Sequence, residues 1–144
     1  MGINAYEKRK AIRKLRLQIK NQFGKQPIPT KYDKELLDYY WEEYGKTIAE
    51  DEKIDEVTWN DLEMNHIFQR INNCNSFVGE QVLYGTLHCL PKENNSREVL
   101  EKKVNFFALK AKEREDIQVI LSRLVKGRGT TIYQPFWLKP MLFE

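Results

Sequence analysis

The chain has 144 residues, enough for one ordinary domain with a real core and too few for two substantial ones. A hydrophobic content of 41% beside 31% charge allows a packed interior under a wet surface of mixed sign. No window approaches the roughly 18 uncharged apolar residues of a membrane span, and no apolar stretch follows the basic N-terminus, so a membrane protein is excluded and the cytoplasm is expected.

The net charge of +3 hides a segregation, because residues 1–30 hold eight Lys or Arg against Glu7, a balance of +7, while residues 31–63 carry −8 and the remainder +4. Either a nucleic-acid or partner surface follows, or a basic helix lies beside an acidic one. Cys74 and Cys89 are too few for a disulfide framework and fit a reducing compartment as small core residues.

From Tyr6 to Phe23, the residues Ile12, Leu15, Ile19 and Phe23 recur at near-helical spacing among lysines and arginines, which predicts a basic amphipathic helix. Gly24 ends it, and Pro27 and Pro29 block continuation. Thr30 or Asp33 can cap a second helix running to about Tyr44, with Leu36, Leu37, Tyr40 and Tyr44 as its stripe and Gly45 as its stop. The acidic, weakly patterned stretch from Gly45 to Val57 reads as a loop or frayed helix and as the expected linker. From Thr58, the residues Met64, Ile67, Phe68 and Ile71 predict a short helix ending near Asn72. Ser76 then caps a helix whose apolar face is Val78, Val82, Leu83, Leu87 and Leu90, ending before Pro91. Ser96 caps the next, with Glu98 in its first turn where the helix dipole favours a carboxylate. Leu100, Val104, Phe107 and Ala111, then Ile117, Ile120, Leu121 and Leu124, extend a helical pattern to Gly127 as one helix or two. Residues 130–144 read as an irregular tail containing Pro135 and Pro140. No alternating strand pattern competes, so the expected class is all-α, an irregular bundle of about five helices.

Chemistry is sparse. A phosphate cradle needs glycines bracketing a turn before Lys and Ser or Thr, and Gly127-Arg128-Gly129-Thr130 is the nearest approach, otherwise a helix terminator. His66, Cys74, His88 and Cys89 match no standard zinc spacing, and His88 and Cys89 point about 100° apart on a helix. The plainer reading puts Cys89 in the core and the histidines near the surface. Nothing supplies an oxyanion hole for a Cys and His pair, and the carboxylates from Asp33 to Glu63 form a solvated charge run. The basic first helix has the most functional promise: Lys8, Arg9, Arg13, Arg16 and Lys20 could neutralise phosphates without reading sequence. No aromatic interleaves them to stack bases, and a solvated or acid-paired helix is the competing reading.

The run TWNDLEMNHIFQRINNCNSFVGEQVLYGTLHCLP resembles the start of the core domain in MutS-family DNA mismatch repair proteins, especially a shorter bacterial MutS-like group. In that group a WNDL motif, a short helix and an N-x-[ST]-x-S-V-G-E-x-x-L-Y run occur in this order. Here they are Trp59 to Leu62, including Asn60, then Asn73, Ser76, Val78, Gly79, Glu80, Leu83 and Tyr84; Asn75 and Phe77 depart from it. SREVLEKKVNFFALKAKEREDIQVILSRL is similar to the family's helix after a Pro loop, and the basic helix ending in FGK to the beginning of that group. The resemblance runs from Thr58 to about Gly129, is weaker from Lys8 to Lys25 and stops before the tail. It implies an N-terminal helical region at 1–57, MutS-like core helices at 58–129 and an irregular tail at 130–144. It also implies that Gly79 lies where core helices pack tightly, which suits a glycine costing up to about 1 kcal/mol in a helix.

Members of that family are several times longer, with levers reaching a DNA-gripping clamp and a C-terminal ABC-type ATPase. This chain carries neither, so the expectation is a non-catalytic core fragment, a scaffold connecting the DNA-binding and ATPase parts of a parent protein. It would be a piece of a longer protein or a shortened gene product. ATP and Mg are expected only for the parent, whose remainder, DNA and a second copy in a dimer are the implied partners. The alternatives are a free-standing nucleic-acid-binding module, or a protein-interaction module using Tyr39, Tyr40, Trp41, Tyr44, Phe136 and Trp137.

Overall fold

The computed structural model describes residues 2–28, 31–91 and 94–122. Among them are seven α-helices: α1 (Gly2–Gln22), α2 (Lys34–Gly45), α3 (Glu56–Asp61), α4 (Met64–Ile71), α5 (Phe77–His88), α6 (Asn94–Leu109) and α7 (Ala111–Leu121). A 3-10 turn covers Glu50–Glu52, and the described residues contain no strand. The class is all-α as expected, with seven helices rather than about five because two expected segments each divide.

The first division falls at Leu62 and Glu63, where Glu63 takes a left-handed conformation with φ 50°. A continuous helix would set Trp59 and Met64 about 140° apart. The break turns both inward, and Trp59, Met64 and Phe68 are all buried in the main core. Asp55 starts α3 by accepting from the Thr58 N–H at 2.9 Å and the Thr58 hydroxyl at 2.8 Å. Ile67 and Ile71, expected on the inner face, are exposed, since α4 buries only the narrow seam of Met64 and Phe68. The second division is at Lys110, between α6 and α7. Ser96 lies inside α6, whose first residue is Asn94, so it does not occupy the expected capping position.

Four helices form the main block: α2 crosses α5, and α4 packs against both α3 and α5. Its core is Leu37, Trp59, Met64, Phe68, Phe77 and Tyr84. Each such buried side chain contributes roughly 1.5–3 kcal/mol against exposure. Asp33 caps α2 by accepting from the Leu36 N–H at 3.3 Å. The expected linker is instead tied down: the Ile54 N–H donates to the His88 carbonyl at 2.9 Å and the Leu90 N–H to that of Glu52 at 2.8 Å. These bonds flank a single bridge between Lys53 and Cys89. Core residues therefore come from both sides of the boundary expected at residue 57.

The remaining helices form a limb. α1 begins four residues before the expected Tyr6 and packs along α7, burying Ile19 and Val119. Gly24, at φ 73°, turns the chain away, which a side chain would resist. The basic helix thus lies beside α7, not beside acidic α2. Arg114 joins the three helices: its guanidinium donates to the carbonyls of Phe107 and Ala108 at the end of α6 and sits 3.3 Å from the centre of the Phe23 ring. A cation suits the carbonyl end of a helix and an aromatic face alike. The described residues include no helix long and apolar enough to cross a membrane.

Candidate functional site

The inner face of α5 differs from the one its apolar residues predict. Phe77, Glu80, Gln81, Tyr84, Gly85 and His88 are buried, whereas Val78, Val82, Leu83 and Leu87 are only partly covered and Leu90 is exposed. Spacing explains the choice, because positions 77, 80, 81, 84, 85 and 88 recur at i, i+3, i+4, i+7, i+8 and i+11, one continuous stripe. Glu80, Tyr84 and His88 stay inside because each finds a partner, which removes most of the cost of burying them.

Glu80, only 3% exposed, accepts from the Asn72 side-chain amide at 3.1 Å. Asn72 in turn accepts from the Cys74 N–H at 3.1 Å, fixing the loop that leads into α5. Ser76 caps the helix as expected, its hydroxyl accepting from the Gly79 N–H at 3.1 Å. Gly79 does not mark a helix crossing: a Cβ there would meet Ser76 Oγ at 3.2 Å and Cys74 Cβ at 3.3 Å, both from the preceding loop. The crossing lies at Gly85, where a Cβ would meet Tyr44 Cδ1 at 3.3 Å and Tyr40 Cε1 at 3.4 Å on α2.

Tyr84 and His88 complete the interior knot. The Tyr84 hydroxyl donates to Asp38 at 2.6 Å, linking α5 to α2, and Asp38 also takes Lys34 at 2.5 Å. Burial, then the bond to Asp38, holds the Tyr84 phenol protonated well above its ordinary range. Burial likewise raises the Tyr40 phenol, reinforced by Tyr44 and Cys89. His88 was expected near the surface but is 6% exposed. Its ring stacks on Trp59 with centroids 3.5 Å apart and on Trp41 at 4.5 Å. The Nδ1–H donates to the Tyr84 carbonyl at 2.9 Å, since that oxygen can only accept. Burial depresses the imidazole pKa, against the opposing pull of that carbonyl and Asp38.

Of the motif residues, Trp59, Ser76, Gly79 and Glu80 meet around α5, while Asn60 stays exposed and contributes its carbonyl, which accepts from the Glu63 N–H at 3.0 Å at the break. The basic set is not gathered into a pocket. Lys8, Arg9, Arg13 and Lys20 are exposed along α1, and Arg16 pairs with Asp116 of α7 at 2.5 Å. Cys74 and Cys89 are half-buried rather than core residues, and His66 is exposed beside Glu63. Among the described residues no three His, Cys, Asp or Glu side chains are grouped to hold a metal ion. The Gly127-Arg128-Gly129-Thr130 turn, Phe136 and Trp137 lie outside the described residues, as does Thr30. A cleft of about 250 Å³ between the end of α1, the loop before α5 and α7 is lined mainly by the amides Gln22, Asn73, Asn75 and Gln118 around Ile19 and Phe23. Lys25 is its one ionisable side chain, so the cleft offers no paired acid and base.

Sequence reasoning missed Asp38, Gly85 and Arg114 and placed His88 on the wrong side of the surface. One signal was available: Glu80, Tyr84 and His88 recur every four residues, a polar stripe in a mainly apolar helix. No family model, curated protein or solved structure matches this chain.

Proposed function

We propose that the chain is a non-catalytic helical scaffold, the front part of a MutS-like core that connects the DNA-binding and ATPase parts of a longer parent. One observation carries the reading. Trp59, Ser76, Glu80 and Tyr84, through which the sequence resembles that family, converge on α5: Ser76 caps the helix, Glu80 takes the Asn72 amide from the preceding loop, Tyr84 bonds to Asp38 of α2, and the Trp59 ring meets that of Tyr84 edge-on. A stacked imidazole, a buried carboxylate bonded to an amide and a phenol held protonated make a rigid interior, not a place for a substrate. The purified chain should therefore show no ATP turnover above background, with or without duplex DNA. Turnover that tracked the protein through purification would contradict the scaffold reading.

A second reading draws on the placement of α1. Its seam of Ile12, Leu15 and Ile19 is covered at least in part, while Lys8, Arg9, Arg13 and Lys20 remain open to solvent. Such a helix suits sequence-blind contact with a phosphate backbone. Titration of duplex DNA at two salt concentrations tests it, because four phosphate contacts give a log–log salt slope of about −3.6. Absence of binding at low salt would remove this reading and leave the scaffold untouched.

A further inference from the structure

The two oppositely charged helices each keep an open face. α1 packs along α7 and α2 against α5, and the sides they turn away from those neighbours carry opposite sign. Opposite the seam of Ile12, Leu15 and Ile19, helical spacing sets Tyr6, Lys10, Arg13, Lys14 and Leu17 on one face of α1. All five are exposed, Tyr6 at 65% and Leu17 at 57%. Among the described residues, Arg16 is the one cation of α1 in an ion pair. On α2, Glu35, Tyr39 and Glu42 recur at i, i+4 and i+7 on the side opposite buried Leu37, and all three are exposed. Glu43 beside them pairs with Lys46, whereas Glu35 and Glu42 make no ion pair among the described residues.

We infer that these faces bind each other between two copies of the chain, α1 of one against α2 of the other. Their signs are opposite, and their lengths agree, since Lys10 to Leu17 and Glu35 to Glu42 each span about 10 Å of helix. Each face also sets exposed apolar surface among its charges, Tyr6 and Leu17 on α1 and Tyr39 on α2, the arrangement of an interface with a polar rim. A nucleic acid would answer only the cations of α1, whereas a second copy answers both faces. The contact is heterologous, so it closes as a reciprocal pair or continues head to tail. Rim charges of this kind set encounter rate and register more than affinity, and salt screens them.

The test is a charge exchange, read by sedimentation of the full chain without nucleic acid. Wild type should self-associate at about 0.01 M salt and about tenfold more weakly at about 1 M, where the screening length falls from about 30 Å to about 3 Å. Lys10→Glu with Lys14→Glu turns the α1 face net negative, and Glu35→Lys with Glu42→Lys turns the α2 face net positive. Each double variant, with unchanged circular dichroism, should lose self-association about tenfold at low salt. An equimolar mixture of the two should regain it, because each then offers the other the opposite sign. A wild-type chain that stays monomeric at low salt overturns the inference, and if that chain binds duplex DNA the α1 face belongs to phosphate instead. Association that ignores salt, survives either double variant or is not regained in the mixture overturns it equally.

Discussion

The α2–α5 block and the α1, α6 and α7 limb solve the burial problem to different depths. The block buries a set of aromatic and aliphatic side chains from four helices and binds its interior polar atoms to one another. The limb buries Ile19 and Val119, holds its joint with Arg114 and leaves most of α6 open. Helical pattern alone does not separate them, since Leu100 and Val104 are as regularly spaced as Met64 and Phe68 are. What separates them is a second layer to pack against, supplied to the block by the mutual crossing of α2 and α5.

If this contrast is right, truncation should cost very different amounts in the two regions. Phe68→Ala, at a fully buried site, should lose about 3–5 kcal/mol in urea unfolding. Leu100→Ala should lose under about 1 kcal/mol, and comparable losses would erase the distinction. Next in size is Gly85→Leu, expected to cost roughly 1–3 kcal/mol by forcing α2 from α5. In a double-mutant cycle that loss should shrink on Tyr44→Ala, while Gly79→Leu should show no coupling to Tyr44, whose ring it does not face. Ser76→Ala should cost about 1 kcal/mol by leaving the Gly79 N–H without its acceptor.

The pH dependence is a smaller effect. Because the folded imidazole of His88 has a depressed pKa, its contribution is fully present above the unfolded value of about 6.5 and is lost as pH falls from there toward the folded value. The unfolded chain binds the proton first, so acid favours unfolding. His88→Phe should flatten the stability curve below about pH 7, and an unchanged curve would place the acid sensitivity elsewhere. Smallest is Asp116→Asn, which removes a partly exposed pair with Arg16 and should change stability by about 0–1 kcal/mol, less in high salt.

Caps and stops were the most legible part of the fold, apart from Ser96, which falls inside α6. Asp33, Ser76 and Gly24 act where local chemistry puts them, because each satisfies or ends a backbone pattern within three or four residues. Long-range choices were not legible. Scoring by apolar content turned α5 to the wrong side, since it counts Glu80, Tyr84 and His88 as polar without seeing Asn72, Asp38 and the tryptophans that receive them. Gly79 drew attention as a crossing point when Gly85 was the one facing another helix, because a glycine's spacing does not say which neighbour stands over it. The break at Glu63 was hidden for a related reason. A left-handed glutamate costs about 1–2 kcal/mol locally and persists only because it turns Trp59 and Met64 into one core.

Native-state hydrogen exchange across the whole chain, read amide by amide, bears on the two-region description with the fewest intermediaries. Amides in the middle of α2 and α5 should exchange only through global unfolding, with the free energy that urea denaturation gives. Those of α6 should open at clearly lower free energy and with little dependence on denaturant, as local rather than global events. Protection of α6 equal to that of α5, lost in the same cooperative step, would contradict the division of the molecule into a self-sufficient block and a limb that needs cover.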